Sequence, residues 1–140
     1  MRAPVFLSVE DVICIHADTI EQEGGLGGVR DYGLLESAVM MPQQRFGGRF
    51  LHEDPPAMAS AYLFHISQNH PFHDGNKRAA AMAAFVFLDV NGFSLTARED
   101  GFERTVLAVA AGEISKDDLT AWMPKHTRRT GRRPRDSSEG

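Results

Sequence analysis

His70-Pro71-Phe72-His73-Asp74-Gly75-Asn76-Lys77-Arg78 joins two runs of helical character, and the reading of this stretch decides the fold. Before it, Pro56 to Asn69 mixes apolar and polar positions and has proline near its first turn, which suits a long helix. After it, Gly75 to Val90 is apolar nearly all round, with alanines at 79 to 81, 83 and 84 among Met82, Phe85, Val86, Phe87 and Leu88. A helix without a polar face belongs in the centre of a domain. Its alanines let neighbouring helices approach closely, so core packing would fix the end of the helix that carries the loop.

The order of residues within the stretch carries chemistry. Histidine and acid lie in the loop, Gly75 opens the helix, and Asn76, Lys77 and Arg78 occupy its first turn. A helix N-terminus presents unpaired N–H groups and a partial positive charge, which suit an anion. The amide and the two cations add donors matched to phosphate oxygens. Histidine is the side chain that exchanges protons nearest neutral pH, so His70 is the candidate base. Asp74 supplies the hard oxygen that Mg2+ takes beside substrate phosphates. The bland alternative is a capped surface loop with no chemistry. Against it stand six functional polar side chains in nine residues, with Phe72 as the apolar member able to pin the loop to the core.

H-P-F-H-D-G-N-K-R closely resembles the signature of the Fic/Doc superfamily, H-x-F-x-[D/E]-[A/G]-N-[G/K]-R. It is more similar to the death-on-curing (Doc) branch than to Fic adenylyltransferases, because Lys77 stands where those carry glycine and Ala81 where they carry a second arginine. Leu7 to Val12, Gly28 to Asp31, Gly33 to Ala38 and Val90 to Gly92 are similar to Doc-type proteins too, so the resemblance covers roughly residues 5 to 123.

The resemblance implies a toxin of a toxin–antitoxin system that moves the γ-phosphate of ATP, with Mg2+, to a protein hydroxyl. The implied target is a threonine of elongation factor Tu, whose modification arrests translation, and the implied neutralising partner is a Phd-type antitoxin. In these terms His70 is the base, Asp74 holds the metal, Gly75, Asn76, Lys77 and Arg78 hold phosphates, and Phe72 supports the loop. Two other outcomes stay open on the residues: transfer of AMP, and a binding module without catalysis. Metal-assisted hydrolysis by His65, His70, His73 and Asp74 is a further rival, but their spacing does not form H-E-x-x-H and leaves Asn76-Lys77-Arg78 unexplained.

Length and composition bound the rest. A chain of 140 residues is one domain by the usual prior and long enough for a proper core. No apolar run reaches membrane-spanning length, and Met1-Arg2-Ala3-Pro4 leads straight into a helix start, without a signal-peptide apolar region. One cysteine excludes an internal disulfide and fits a reducing cytoplasm; Cys14, among Val12, Ile13 and Ile15, is expected in or near the core. Residues 125–140 hold six Lys or Arg against two Asp or Glu, whereas the other 124 residues hold nine against seventeen. An acidic body does not look like a nucleic-acid-binding domain. The basic tail, rich in Arg, Gly, Pro and Ser, is expected to be solvated and disordered, with weak RNA contact as its only nucleic-acid role.

The pattern along the chain predicts further helices. Ser8 with Asp11 forms a capping-box signal for a helix over about 9–22, whose inward stripe holds Val9, Val12, Ile13, His16 and Ile20. Asp31 caps a helix over 33–41, Ser115 with Asp118 caps a last short one that Pro124 closes, and another lies over 98–111. His16 is expected to be a hydrogen-bonded core histidine, and Arg30-Asp31 to tie a loop to a helix end. Residues 43–55 are expected to be irregular, in the position where the superfamily often carries a target-docking flap. The class is all-α: a compact single-domain helical bundle over residues 1–124 around a central buried helix, followed by the tail over 125–140.

Overall fold

A computed structural model describes residues 3–131 of the chain. The helices, in order, are α1 (Val9–Glu23), α2 (Tyr32–Met40), α3 (Pro55–Asn69), α4 (Asn76–Val90), α5 (Glu99–Ala110) and α6 (Lys116–Lys125). Two short antiparallel ribbons accompany them: β1 (Arg45–Phe46) with β2 (Arg49–Phe50), and β3 (Phe93–Leu95) with β4 (Thr127–Arg129). The fold is all-α, and the ribbons are appendages to it.

Local chemistry starts most of these helices. Ser8 and Asp11 close a complete capping box on α1. Asp31 accepts from Leu34 N on α2, Asp54 from Ala57 N on α3, and Ser115 from Asp118 N on α6. Each cap satisfies a donor that the helix itself cannot.

The core forms around the pairing of α3 with α4, and α6, α2 and α1 close over that pair. On α4, Ala79, Ala80, Ala83 and Ala84 have no exposed surface and face Tyr62, Leu63, Ile66 and the rest of the shared cluster. With only methyl groups between them the two helix backbones approach closely, while Phe87 and Leu88 fill the space farther along. Burying each of those larger side chains contributes about 1.5–3 kcal/mol. The N-terminal segment crosses this core: Leu7 N donates to the buried Tyr62 hydroxyl, and the Asn91 amide brackets Val5 from both sides of its peptide.

Three expectations change. α4 is not buried all round, since Met82 and Phe85 are nearly half exposed; its apolar outer face comes from composition and its burial from what covers the other face. Cys14 is exposed because it lies off the Val12–His16–Thr19 stripe that α1 turns inward. Residues 45–50 are not irregular but form a hairpin, in which Gly47 and Gly48 supply the two positive φ angles of its turn. Phe50 packs on Phe6, with the Arg45 guanidinium over its ring, whereas Phe46 projects into solvent.

The basic segment also begins inside the fold. β4 pairs Arg128 with Ser94 of β3, and Thr130 N donates to Gly92 O, so the chain is held to the domain beyond residue 124. Arg132, Arg133, Arg135 and the disorder expected of residues 132–140 lie outside the described residues.

His52 from the turn after β2, His65 of α3 and Lys116 at the start of α6 form a polar cluster. Among the described residues His52 Nδ1 and His65 Nε2 are buried without a hydrogen-bond partner. Burial pushes His65 down to about 4, with Lys116 and His52 acting in the same direction. Burial and the Lys116 charge lower His52 as well. A histidine that folds in its neutral form stabilises the fold fully above its unfolded pKa, and that stability is lost as pH falls through the folded value. Urea unfolding should therefore show stability dropping from about pH 6.5 towards about pH 4, and His65→Phe should flatten that slope. An unchanged slope in His65→Phe would assign the acid sensitivity to other groups.

Candidate active site

The loop begins with a residue in an unusual conformation. α3 ends at Asn69, and His70 follows at φ 49°, ψ 54°, the one non-glycine residue with positive φ among those described. Pro71 disfavours the right-handed helical region for the residue before it, so α3 cannot continue through His70. A left-handed histidine costs about 1–3 kcal/mol and persists only where its surroundings hold it. Arg30 is one such holder, donating from Nε to His70 O at 2.8 Å and from Nη2 to Asn69 O at 3.2 Å. Its positive charge at the α3 C-terminus also complements the helix dipole. Arg30 N and Asp31 N both donate to Pro71 O, and Val29 pairs with Phe72 as a single antiparallel bridge. Arg30 and Asp31 thus hold loops and helix ends, which is the structural role expected of them.

Asn76 does most of the fixing from within. Its Oδ1 accepts from Phe72 N at 2.9 Å, and its Nδ2 donates to Phe72 O at 3.0 Å and towards His70 Nδ1 at 3.3 Å. The side chain is buried, and all of its donors are used. The sequence placed this amide on phosphate; as the structure holds it, its Oδ1 and Nδ2 serve the loop, through Phe72 and His70. The two Phe72 bonds fix which amide atom is nitrogen, so a neutral His70 ring meets this contact with Nδ1 as acceptor. Phe72 itself is buried and stacked on His16, with ring centroids 3.8 Å apart and planes 3° from parallel. His16 Nε2 donates to Asp74 O at 2.7 Å, so the expected core histidine also anchors the acid's main chain.

The Asp74 carboxylate is held by main-chain donors on two sides. Gly75 N reaches Oδ1 at 2.9 Å, and Leu26 N reaches Oδ2 at 3.3 Å. The glycine loop makes this approach possible, because a Cβ at Gly25 would lie 2.7 Å from Asp74 Oδ2. Each oxygen keeps a lone pair, and the acid is exposed, so the arrangement fits a hard cation bound at Asp74. Gly75 caps α4 at φ 74°, where a Cβ would meet Ile20 Cδ1 at 3.1 Å and a side chain would be strained. No side chain caps α4, so the N–H groups of its first turn are open.

The two cations of the motif diverge. Lys77 lines a cavity of about 590 Å³ together with His70. Arg78 instead pairs with Glu23 at the end of α1, at 3.4 Å, with both side chains about half exposed. His73 is exposed, and His65 belongs to the cluster with His52 and Lys116, not to the motif. Among the described residues no three of His, Cys, Asp and Glu gather in metal-binding geometry, which leaves the hydrolytic reading without its ligand set. A larger cavity, about 710 Å³, lies on the α5–α6 side near Trp122 and His126 and contains no motif residue. Arg104 and Glu113 also line the His70 cavity. Sequence reading passed over both, because a charged residue on an amphipathic helix and another in a turn carry no spacing signal.

The whole motif loop, with His16, Arg30 and the glycine turn around it, falls within residues 6–88, which match a family model described as the Fic/DOC family. The chain belongs to the Fic/DOC family. It is 40% identical over 118 residues to the "Toxin Doc" of Mycolicibacterium smegmatis, covering 83% of this chain and 88% of that protein. It is 34% identical over 109 residues to the "Protein kinase doc" of Escherichia phage P1, covering 78% of this chain and 85% of that one. No helix among the described residues of this Fic/DOC protein is long and apolar enough to cross a membrane.

Asn76→Ala leaves the buried Phe72 N–H and carbonyl unpaired, which should cost about 2–3 kcal/mol, read as a lower urea midpoint at unchanged slope. Asn76→Asp should also destabilise, since a carboxylate has no donor for Phe72 O. A wild-type midpoint in both variants would remove Asn76 from its fixing role.

Proposed function

We propose that this Fic/DOC protein is a Doc-type toxin that transfers the γ-phosphate of ATP to a hydroxyl of a protein target. By resemblance the target is a threonine of elongation factor Tu in the cytoplasm, its modification arrests translation, and a Phd-type antitoxin neutralises the toxin. One observation carries the reading: His70 and Lys77, a residue of the uncapped first turn of α4, line a single cavity. The phage P1 relative, named a protein kinase, supports phosphate as the group transferred.

In the transfer step, the substrate hydroxyl oxygen forms a bond to the γ-phosphorus as the bond from that phosphorus to the β–γ bridging oxygen breaks. ADP leaves with that electron pair, and the hydroxyl proton passes to His70 Nε2. Nε2 is basic only when the ring proton sits on Nδ1, so the 3.3 Å contact from Asn76 Nδ2 has to yield in the reacting complex. A contact that long is weak enough to do so. The open N–H groups of α4 and the Lys77 ammonium oppose the charge that develops on the phosphates, and they are already oriented by the buried helix behind them. A Mg2+ ion bound at Asp74 would neutralise further phosphate charge there. Arg78 reaches phosphate only by leaving Glu23, and an exposed pair of this kind is worth about 0–1 kcal/mol. For docking of the target, the β1–β2 hairpin offers an exposed edge and Phe46 at its turn.

The test is paired labelling in a translation lysate with Mg2+, using ATP labelled at the α- or the γ-phosphate. Transfer to a protein band is expected from the γ-label only, and His70→Ala should remove it while circular dichroism and the urea midpoint stay near wild type. Label from the α-position would replace phosphate transfer by AMP transfer. No label from either, with elongation factor Tu present, would leave a binding module. Asp74→Asn should raise the Mg2+ concentration needed for half-maximal transfer, and an unchanged requirement would take Asp74 out of the metal site.

A further inference from the structure

The cavity at His70 is short of positive charge for a triphosphate. Of the motif's two cations only Lys77 lines it; Arg78 lies off this wall, beside Glu23 of α1, and the Asn76 amide is spent on the loop. Ala81, one turn farther along α4, offers no charge. The second cation on the cavity wall comes from another element, α5, whose Arg104 lines both this cavity and the larger one beside α6. We infer that Arg104 is a nucleotide-binding residue of this chain, supplying from α5 the second guanidinium that position 81 of α4 lacks. The inference rests on the nucleotide reading above.

The surroundings of Arg104 suit that role. Its guanidinium is exposed and held only by Asp100 one turn back, at 3.7 Å. Such an exposed pair is weak, so a phosphate, which a guanidinium meets through two parallel hydrogen bonds, competes well for it. Along the same wall, Ala108 and Ala111 follow Arg104 at helical spacing, with the half-exposed Leu107 beside them. This apolar strip can lie against the face of a base. Glu113 lines the cavity too. A carboxylate on that wall repels phosphate and accepts from sugar hydroxyls, so α5 and the turn after it offer the cavity a cation at Arg104 and an acceptor at Glu113.

The test measures binding and turnover in the same variants. Titration calorimetry with a non-hydrolysable ATP analogue and Mg2+ should give a loss of about fivefold to tenfold for Arg104→Gln, the size of a solvent-screened charged hydrogen bond. Arg104→Lys should recover part of it, and KM for ATP should rise in Arg104→Gln with little change in kcat. Asp100→Asn, which releases the guanidinium, should tighten binding. Arg49→Gln removes the same charge from the exposed β1–β2 hairpin, which lines neither cavity, and should leave affinity at the wild-type value. Wild-type affinity in Arg104→Gln, or an equal loss in Arg49→Gln, overturns the role of Arg104 and leaves the nucleotide reading standing. Absence of binding by the wild-type protein overturns both.

Discussion

The hydrogen bonds between the Asn76 carboxamide and the Phe72 main chain close a turn from which every reactive group hangs. They span four residues and join the first turn of α4 back to the loop that precedes it. Once closed, that turn sets the direction in which His70 leaves α3 and the place at which Asp74 meets Leu26. It also seats Phe72 in the core, stacked on His16, so the loop is tied to α1 as well as to α4. A left-handed histidine and a left-handed glycine within six residues are both strained or restricted conformations. They are held because buried main-chain groups would otherwise lose their partners, which is the more expensive outcome.

Behind this loop, packing decides how rigid the phosphate end can be. The alanine face of α4 meets α3 without long side chains in between, and two closely packed backbones leave few alternative arrangements. The N-terminus of α4 therefore points where α3 allows, and its open N–H groups are oriented before any ligand arrives. This is preorganisation in the physical sense: the dipoles do not have to turn during the reaction. At the periphery the β1–β2 hairpin holds to the body through Phe50 and keeps Phe46 in solvent.

Charge is distributed less symmetrically than the motif suggests. Lys77 and Arg78 are neighbours in sequence, yet successive residues on a helix point about a quarter-turn apart, so one lines the His70 cavity and the other reaches Glu23 of α1. Charge for a bound nucleotide then has to come from several elements. The wall formed by α5 and the turn after it contributes both signs, an arginine and a glutamate. His65 carries a different lesson. Its burial beside His52 and Lys116 belongs to the stability of the fold, although a histidine five residues before His70 looks like site chemistry in the sequence.

By itself the sequence determined the all-α class, the order of the helices and the capping residues Ser8, Asp31 and Ser115. These are local matters: side-chain periodicity and hydrogen bonds spanning three residues leave a direct trace in the string. It also determined the motif loop, because loop, glycine and first helical turn are contiguous. Only the tertiary structure decided what each motif residue faces. That Asn76 turns inward to Phe72, that Asp74 meets a glycine loop 48 residues away, and that Arg104 shares a cavity with His70 depend on how α1, α4 and α5 pack. The same holds for Cys14, exposed although its neighbours are apolar, and for Thr127–Arg129, which joins β3 although its composition suggested a free tail. Contacts between residues distant in sequence are set by the sum of many packing choices, and no single spacing records them.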